Sequence, residues 1–138
     1  MTMDEFEIKI GYENMNIDEV MSLLRQTYWA KDRTKEVMDE AMRSCICFGA
    51  FLKETGKQIG FARALSDNAT TYYLADVIVD EKYRGIGAGA AIVKAVVEHE
   101  KLRDLRGILI TKTAEGLYGK FGFNECDSTF MSKARKGD

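Results

Sequence analysis

The chain has 138 residues, of which 46 % are hydrophobic and 30 % charged, and its formal net charge is −2. This size and balance predict one soluble globular domain over residues 1–138. Basic and acidic residues are mixed along the chain with no basic face evident, so we expect no nucleic acid partner, and no apolar run nears the ~18 residues of a membrane helix. The segment Met1–Ile10 is too acidic for a secretory signal, which favours a cytoplasmic location.

The cysteine and histidine counts exclude several kinds of site. Three cysteines, Cys45, Cys47 and Cys126, are an odd number without metal-ligand spacing, so the sequence predicts neither a disulfide framework nor zinc. The single histidine, His99, leaves no basis for a catalytic triad or a histidine metal site. We therefore expect a reducing compartment and no metal.

Apolar periodicity predicts secondary-structure elements along the whole chain. Asn16 and Thr34 are candidate N-caps for the first two helices, and Gly122 is a candidate C-terminal glycine for the short fourth one. The order is β-α-α-β-β-β-α-β-α-β, which predicts an α/β (α+β) domain with a mixed sheet. The predicted strands are Phe6–Tyr12, Cys45–Leu52, Gln58–Leu65, Thr71–Val79, Arg106–Thr111 and Phe123–Met131, and the helices are Ile17–Tyr28, Thr34–Met42, Gly87–Lys101 and Ala114–Phe121.

The most informative segment is the glycine-rich turn after the strand that ends at Val79. Alternating glycines at a strand-to-helix junction expose backbone N–H groups to a phosphate. The segment lacks the GK-Ser/Thr of a P-loop, and a preceding antiparallel meander does not suit a dinucleotide fold. Arg84, Gly87 and Gly89 satisfy the pattern Arg/Gln-x-x-Gly-x-Gly/Ala. The alternative is a glycine-rich helix entry that binds nothing.

A second motif, Leu117-Tyr118-Gly119-Lys120-Phe121-Gly122-Phe123, follows one strand and one short helix later. With both motifs in this order, the chain resembles the GCN5-related N-acetyltransferase (GNAT) superfamily from Phe6 to Phe130. Tyr28-Trp29, Gly60-Phe61-Ala62-Arg63 and Asp76-Val77 are similar to a small bacterial branch. Glu81, where many members have proline, and Gly119, where many have a longer residue, depart from the pattern.

The resemblance implies the GNAT fold, with helices on both faces of the sheet, and acetyl-CoA as donor to an amine. It implies that the main chain of one strand pairs with the pantetheine arm, and that the glycine turn holds the pyrophosphate. Many relatives are dimers, so a homodimer is an expectation. The residues implied to bind acetyl-CoA are Val77, Ile78, Val79, Arg84, Gly85, Ile86, Gly87, Ala88, Gly89, Leu117 and Tyr118.

Two residues are candidates for the acid and base of a direct attack on the thioester. Tyr118 matches the family's general acid, which would protonate the departing thiolate; alternatively, it is an amphipathic core residue. Asp76 lies between apolar neighbours, where burial should raise the pKa of its carboxyl toward that of a useful base. Alternatively, Asp76 hydrogen-bonds to the protein or binds the ammonium of the acceptor.

Tyr28, Trp29 and Arg63 are the candidate lining of the acceptor site. Trp29 could equally be core. Arg63 lies in an alternating strand, where a buried guanidinium needs an anion. Asp76, Glu13 or a carboxylate on the acceptor could supply it.

The sequence leaves two classes of function open. The first is an enzyme that acetylates a primary amine of a small molecule or peptide. The second is a degenerate acetyltransferase fold that binds CoA or a partner protein without turnover. Tyr118 and the intact turn from Arg84 to Gly89 favour the enzyme.

Overall fold

A computed structural model of the protein describes residues 5–137, so the ends of the predicted domain, 1–4 and 138, lie outside the described residues. Within these residues, five strands and four α-helices follow one another. Two single 3₁₀ turns, Tyr12–Asn14 and Glu81–Tyr83, lie between them. The elements are β1 (Phe6–Ile10), α1 (Ile17–Leu24), α2 (Lys35–Arg43), β2 (Ile46–Leu52), β3 (Gln58–Ser66), β4 (Thr71–Val79), α3 (Ala88–Glu98), β5 (Arg106–Ile108) and α4 (Glu115–Gly119).

Both predicted N-caps are confirmed. The side chain of Asn16 accepts the backbone N–H of Glu19 at 3.1 Å, and Thr34 caps α2 in the same way. The Glu19 carboxylate does not return to Asn16 but accepts the backbone N–H of Gln58 at 3.1 Å. The Gln58 side chain in turn accepts the backbone N–H of Asn16 at 2.9 Å. The start of α1 is therefore tied to β3.

The strands lie side by side in the order β1-β2-β3-β4-β5. The first four are antiparallel neighbours, whereas β4 and β5 run parallel. Their pairing covers only Thr71–Tyr73 of β4 and Arg106–Ile108 of β5. Beyond these residues β4 continues for six more positions with β5 no longer paired to it.

Helices cover both faces of the sheet, as the family resemblance implies. On one face, α1 and α2 bury Leu24 and Met38 against Phe61 of β3. On the other, α3 and α4 contribute Ile92 and Tyr118 to a larger cluster. The predicted fold class is confirmed, because the sheet is mixed and both faces pack helices.

The last predicted strand, Phe123–Met131, is wrong in detail: in the part of the chain that the structure describes, this segment forms no strand. Its first residue packs on the core, but the following residues are polar and exposed, and Phe130 is exposed as well. A strand needs both a partner edge and a face to bury, and alternation within an isolated segment supplies neither.

The other differences concern the ends of elements. Helix α1 stops at Leu24, so Tyr28 lies in the loop before α2 and is exposed. Helix α3 ends at Glu98 and β5 at Ile108, both earlier than predicted.

Candidate active site

A β-bulge in β4 marks the centre of the candidate site. Phe61 pairs with Ile78 and Arg63 with Ala75, so a single β3 residue faces the two residues Asp76 and Val77. Asp76 takes a left-handed backbone conformation with φ +53°. Aspartate is among the few residues that tolerate this region, and a bulge redirects the side chains around it.

The Asp76 carboxylate receives three donors. Trp29 Nε1 donates to Oδ1 at 3.0 Å, while Arg33 Nη1 and Arg63 Nε donate to Oδ2 at 2.6 and 2.7 Å. The Asp76 side chain is only 3 % exposed. We call Trp29, Arg33, Arg63 and Asp76 the Asp76 cluster. It joins β4 to β3 and to the loop between α1 and α2.

The cluster reverses the predicted direction of the Asp76 pKa. Burial by itself would raise it, but the hydrogen bond and charge of Arg63, the charge of Arg33 and the indole N–H of Trp29 outweigh burial and lower it. The expectation of a raised pKa is therefore wrong, because it took the neighbours along the strand as the whole environment. An ionised carboxylate with its oxygens occupied is a poor proton acceptor. A catalytic role for Asp76 stays a prediction.

A cavity of about 580 Å³ opens above the cluster. The three side chains predicted for the acceptor site, Tyr28, Trp29 and Arg63, all line it. Of the anions weighed as partners of Arg63, Asp76 is the one that it contacts. The remaining lining residues are Ala30, Lys31, Asp32, Arg33, Thr34, Val37, Ala41 and Arg135.

Arg33 is the residue of this cluster that sequence reasoning missed. It lies in Lys31-Asp32-Arg33-Thr34, a stretch that reads as a polar linker between two helices. No periodicity distinguishes a solvated arginine there from one that reaches a strand 43 positions later. The only available signal was the charge of Asp76 itself, because a buried carboxylate needs a cation and further hydrogen-bond donors.

The loop that carries Trp29 and Arg33 is held from two sides. Arg25 Nη1 donates to the carbonyl oxygens of Lys31 and Arg33 at 2.6 and 3.0 Å. At the rim, the Tyr28 ring lies edge-on to Trp29, and the Lys112 ammonium sits 4.7 Å from the Tyr28 ring centroid. Since Lys112 follows β5, the rim of the cavity adjoins the place where β4 and β5 separate.

The glycine turn has the geometry of an open helix entry. Gly85 and Gly87 have φ near +90°, a conformation that favours glycine, and a Cβ at either would meet nothing within 4 Å. Gly87 is the N-cap of α3, and the first helical bond runs from Ala91 N–H to its carbonyl. No described side chain caps this helix, and its first turn carries no acidic residue. The N–H groups of its first turn therefore remain available to a ligand.

The predicted acetyl-CoA residues meet at this entry from three elements. A Cβ on Gly89 would lie 3.6 Å from Val79 of β4 and 4.0 Å from Leu117 of α4. Ala88 is buried and packs in the core, so its contribution to a ligand would be its backbone. Arg84 is exposed beside them.

Glu81 shows why the departure from proline does not weaken the turn. Its backbone N–H donates to Gln26 Oε1 at 3.1 Å, a bond that proline could not make. The preceding Asp80 N–H donates to the carbonyl of Ile59 at 2.8 Å. The turn is thus fastened to the segment that follows α1 and to β3.

Tyr118 lies in the core cluster under α4, where its ring meets Phe123 edge-on at 6.1 Å. Burial raises the pKa of its hydroxyl above the ordinary value. Among the described residues, this hydroxyl has no hydrogen-bond partner, and its oxygen keeps some contact with solvent. A protonated donor with some access to solvent is therefore available beside Leu117.

The described residues, 5–137, contain no group of three or more His, Cys, Asp or Glu side chains placed to hold a metal ion. They also contain no helix long and apolar enough to span a membrane.

Comparison with known proteins agrees with this geometry. The family model described as the acetyltransferase (GNAT) family matches residues 16–123. An uncharacterized N-acetyltransferase, ycf52, of Pyropia yezoensis is 30 % identical over 132 residues, covering 88 % of this chain and 75 % of that protein.

Solved structures extend the likeness to the whole fold. A Xanthomonas campestris protein assigned to the GNAT family is 34 % identical, with a TM-score of 0.87 over 99 % of this chain and 97 % of that one. A Clostridium acetobutylicum protein, described as an acetyltransferase with acetyl-CoA, shares the fold at 14 % identity, with a TM-score of 0.68 over 94 % and 96 % of the two chains. The chain belongs to the GNAT family of acetyltransferases and is an acyltransferase by that membership.

Proposed function

We propose that this protein transfers an acetyl group from acetyl-CoA to a primary amine of a small molecule or peptide, by direct attack of the amine on the thioester. The observation that carries the proposal is the path along β4. Its edge toward β5 is unpaired after Tyr73, and the strand leads directly into a turn whose N–H groups are open.

Acetyl-CoA fits this path in two places. Its pyrophosphate would lie on the N–H groups from Arg84 to Gly89, where the dipole of α3 favours negative charge. Its pantetheine arm would pair with the free main-chain edge of Val77, Ile78 and Val79. The Clostridium acetobutylicum protein with this fold, described with acetyl-CoA, supports the choice of ligand.

The acyl transfer asks three things of the protein. A backbone N–H at the end of the bulge, near Val77 or Ile78, would donate to the thioester oxygen as it gains charge. Tyr118 would give its proton to the sulfur as the carbon–sulfur bond breaks, and its raised pKa keeps that proton in place at neutral pH. The amine must arrive neutral, and water can take the proton that it loses on acylation.

Asp76 has a different role in this scheme. Its carboxylate holds the bulge in its left-handed conformation and ties it to Trp29, Arg33 and Arg63. We therefore assign it as a positioning residue, which sets the direction of the N–H groups that follow it.

The proposal is tested by measuring binding and turnover separately. Calorimetry with CoA should show a single site, and release of free thiol from acetyl-CoA should rise when an acceptor amine is added. Binding without thiol release across a broad panel of amines would favour the alternative, a CoA-binding module without turnover. Absence of CoA binding would overturn both of these and leave only a module that binds a partner protein.

A further inference from the structure

The charges around the acceptor cavity are unequal. Among the described residues, Asp32 is the only acidic side chain that lines it. Lys31, Arg33 and Arg63 line it as cations, and Arg135 is a fourth basic residue in the lining. Even without Arg135, and with the underlying Asp76 counted, three cations face two carboxylates.

Asp76 does not cancel this excess for a ligand. Its two oxygens already accept from Trp29, Arg33 and Arg63, so it has little capacity left to bind an ammonium group. One carboxylate between two guanidinium groups leaves one positive charge uncompensated. Arg33 and Arg63 are 14 % and 17 % exposed, and both line the cavity, so their remaining donors are within reach of a ligand there.

Apart from Thr34, the rest of the lining is apolar or aromatic. Trp29 and Tyr28 form one wall, and Val37 and Ala41 of α2 form another. Such a surface suits the uncharged body of a small molecule, while the guanidinium groups orient one polar end. Guanidinium groups form stronger hydrogen bonds with carboxylate and phosphate oxygens than with neutral acceptors.

We infer that the acceptor amine also carries an anionic oxygen group, a carboxylate or a phosphate, which lies toward Arg33, Arg63 and Lys31. The inference rests on the proposed acetyl transfer, because it names the acceptor of that reaction. The expected class is an amino acid or a similarly charged amine. Polyamines and aminoglycosides are disfavoured, because a polycation would meet an excess of positive charge.

Trp29 allows the inference to be tested without turnover. It is the single tryptophan of the chain, and it lines the cavity, so its fluorescence reports on that site. We would titrate the protein at neutral pH with N-acetylphenylalanine and with its carboxamide, which differ in charge and lack a reactive amine. O-phosphoethanolamine and ethanolamine form a second pair that tests phosphate. We expect each anion to bind about tenfold tighter than its neutral or cationic counterpart.

Lys31→Met is the variant that isolates the charge. Lys31 makes no ion pair among the described residues, so the exchange removes a cation from the lining without breaking the Asp76 cluster. It should weaken anion binding by about two- to fivefold, the scale of one exposed charge. Lys94→Met is the control, since Lys94 is an exposed residue of α3 on the opposite face of the sheet, and it should leave anion binding unchanged.

Turnover separates failure of this inference from failure of the proposed function. The acetylation of phenylalanine or O-phosphoethanolamine should exceed that of spermidine in kcat/KM by tenfold or more. Efficient acetylation of spermidine, or equal binding of the charged and uncharged probes, would overturn the inference and leave acetyl transfer standing. Loss of CoA binding and of all thiol release would instead overturn the proposed function.

Discussion

The Asp76 cluster and the glycine turn lie at either end of the last part of β4, but their polar groups differ. Those of the cluster are hydrogen-bonded within the protein, whereas those of the turn are open. Around Asp76, the carboxylate oxygens are occupied by three donors from two segments of the chain, the loop between α1 and α2 and strand β3. At the start of α3, no described side chain caps the helix. A buried charge without partners is costly, whereas open N–H groups at the surface are solvated until a ligand arrives.

The comparison assigns different work to the two regions. The Asp76 cluster holds the backbone in place, and its carboxylate has little capacity left to bind a ligand. The glycine turn has backbone N–H donors that are available to one. Substitutions in the cluster should therefore act first on stability, and substitutions of Gly89 and Tyr118 should act first on ligand binding or turnover.

Asp76→Asn should have the largest effect, a loss of about 3 kcal/mol of stability, because it leaves two mostly buried guanidinium groups without their carboxylate. Asparagine also tolerates the left-handed backbone, so the loss reports on charge. Asp39→Asn is the matched control. Asp39 pairs with Arg43 but is 31 % exposed, so solvent screens the pair and the same exchange should lower stability much less.

The lowered pKa of Asp76 also predicts how this loss of stability changes with pH. The folded-state pKa of Asp76 is lowered, so its contribution is present above the unfolded value of about 3.9 and is lost as the pH falls below it. Thermal unfolding from pH 7 to pH 3 should show the gap between the native protein and Asp76→Asn narrowing below about pH 4. A gap that stays constant would mean that the carboxylate charge is not what stabilises the cluster.

Tyr118→Phe should lower kcat by roughly 10²-fold, about 2.7 kcal/mol, while CoA affinity stays nearly unchanged. Packing against Phe123 is retained, so only the proton donor is lost. Steady-state kinetics and calorimetry on the same sample would check this, provided that chemistry limits the rate. Tyr73→Phe, on an exposed part of β4, is the control and should behave as the native protein. Equal kcat in the Tyr118 variant would refute its assignment as the acid.

Gly89→Val should weaken CoA binding about tenfold or more, equivalent to about 1.4 kcal/mol. A Cβ fits there at ordinary contact distance from Val79 and Leu117, so the fold should survive while the approach of the ligand to the backbone is obstructed. Gly89→Ala should give a smaller loss in calorimetry. Unchanged affinity in a valine variant with a native melting temperature would contradict binding at this turn.

Gly119→Ala should have the smallest effect, a gain of about 1 kcal/mol in stability. The glycine lies in α4 without a positive φ, and nothing stands within 4 Å of the added methyl group. Gly56→Ala is the control: its φ of +78° should make the same exchange destabilising. The melting temperatures of the two variants should therefore move in opposite directions, and CoA affinity should not change in either.

Local features of the sequence were sufficient for the elements that depend on neighbours along the chain. Asn16 and Thr34 cap helices because a cap needs only a side chain and an N–H three residues later. The glycine turn was predictable for the same reason, since Gly85 and Gly87 have the positive φ values that their type permits. The two motifs together were enough to predict the GNAT fold.

The sequence by itself determined the order of the elements up to α4, the glycine turn and the family. Tertiary structure alone decided the state of Asp76, because its pKa depends on Arg33 and Arg63, which periodicity cannot bring within 3 Å of it. It also decided that Phe123–Met131 is not a strand, since an edge and a face to bury come from other segments. Contacts between distant residues are set by packing and charge in three dimensions. A single sequence contains the residues but does not show which of them meet.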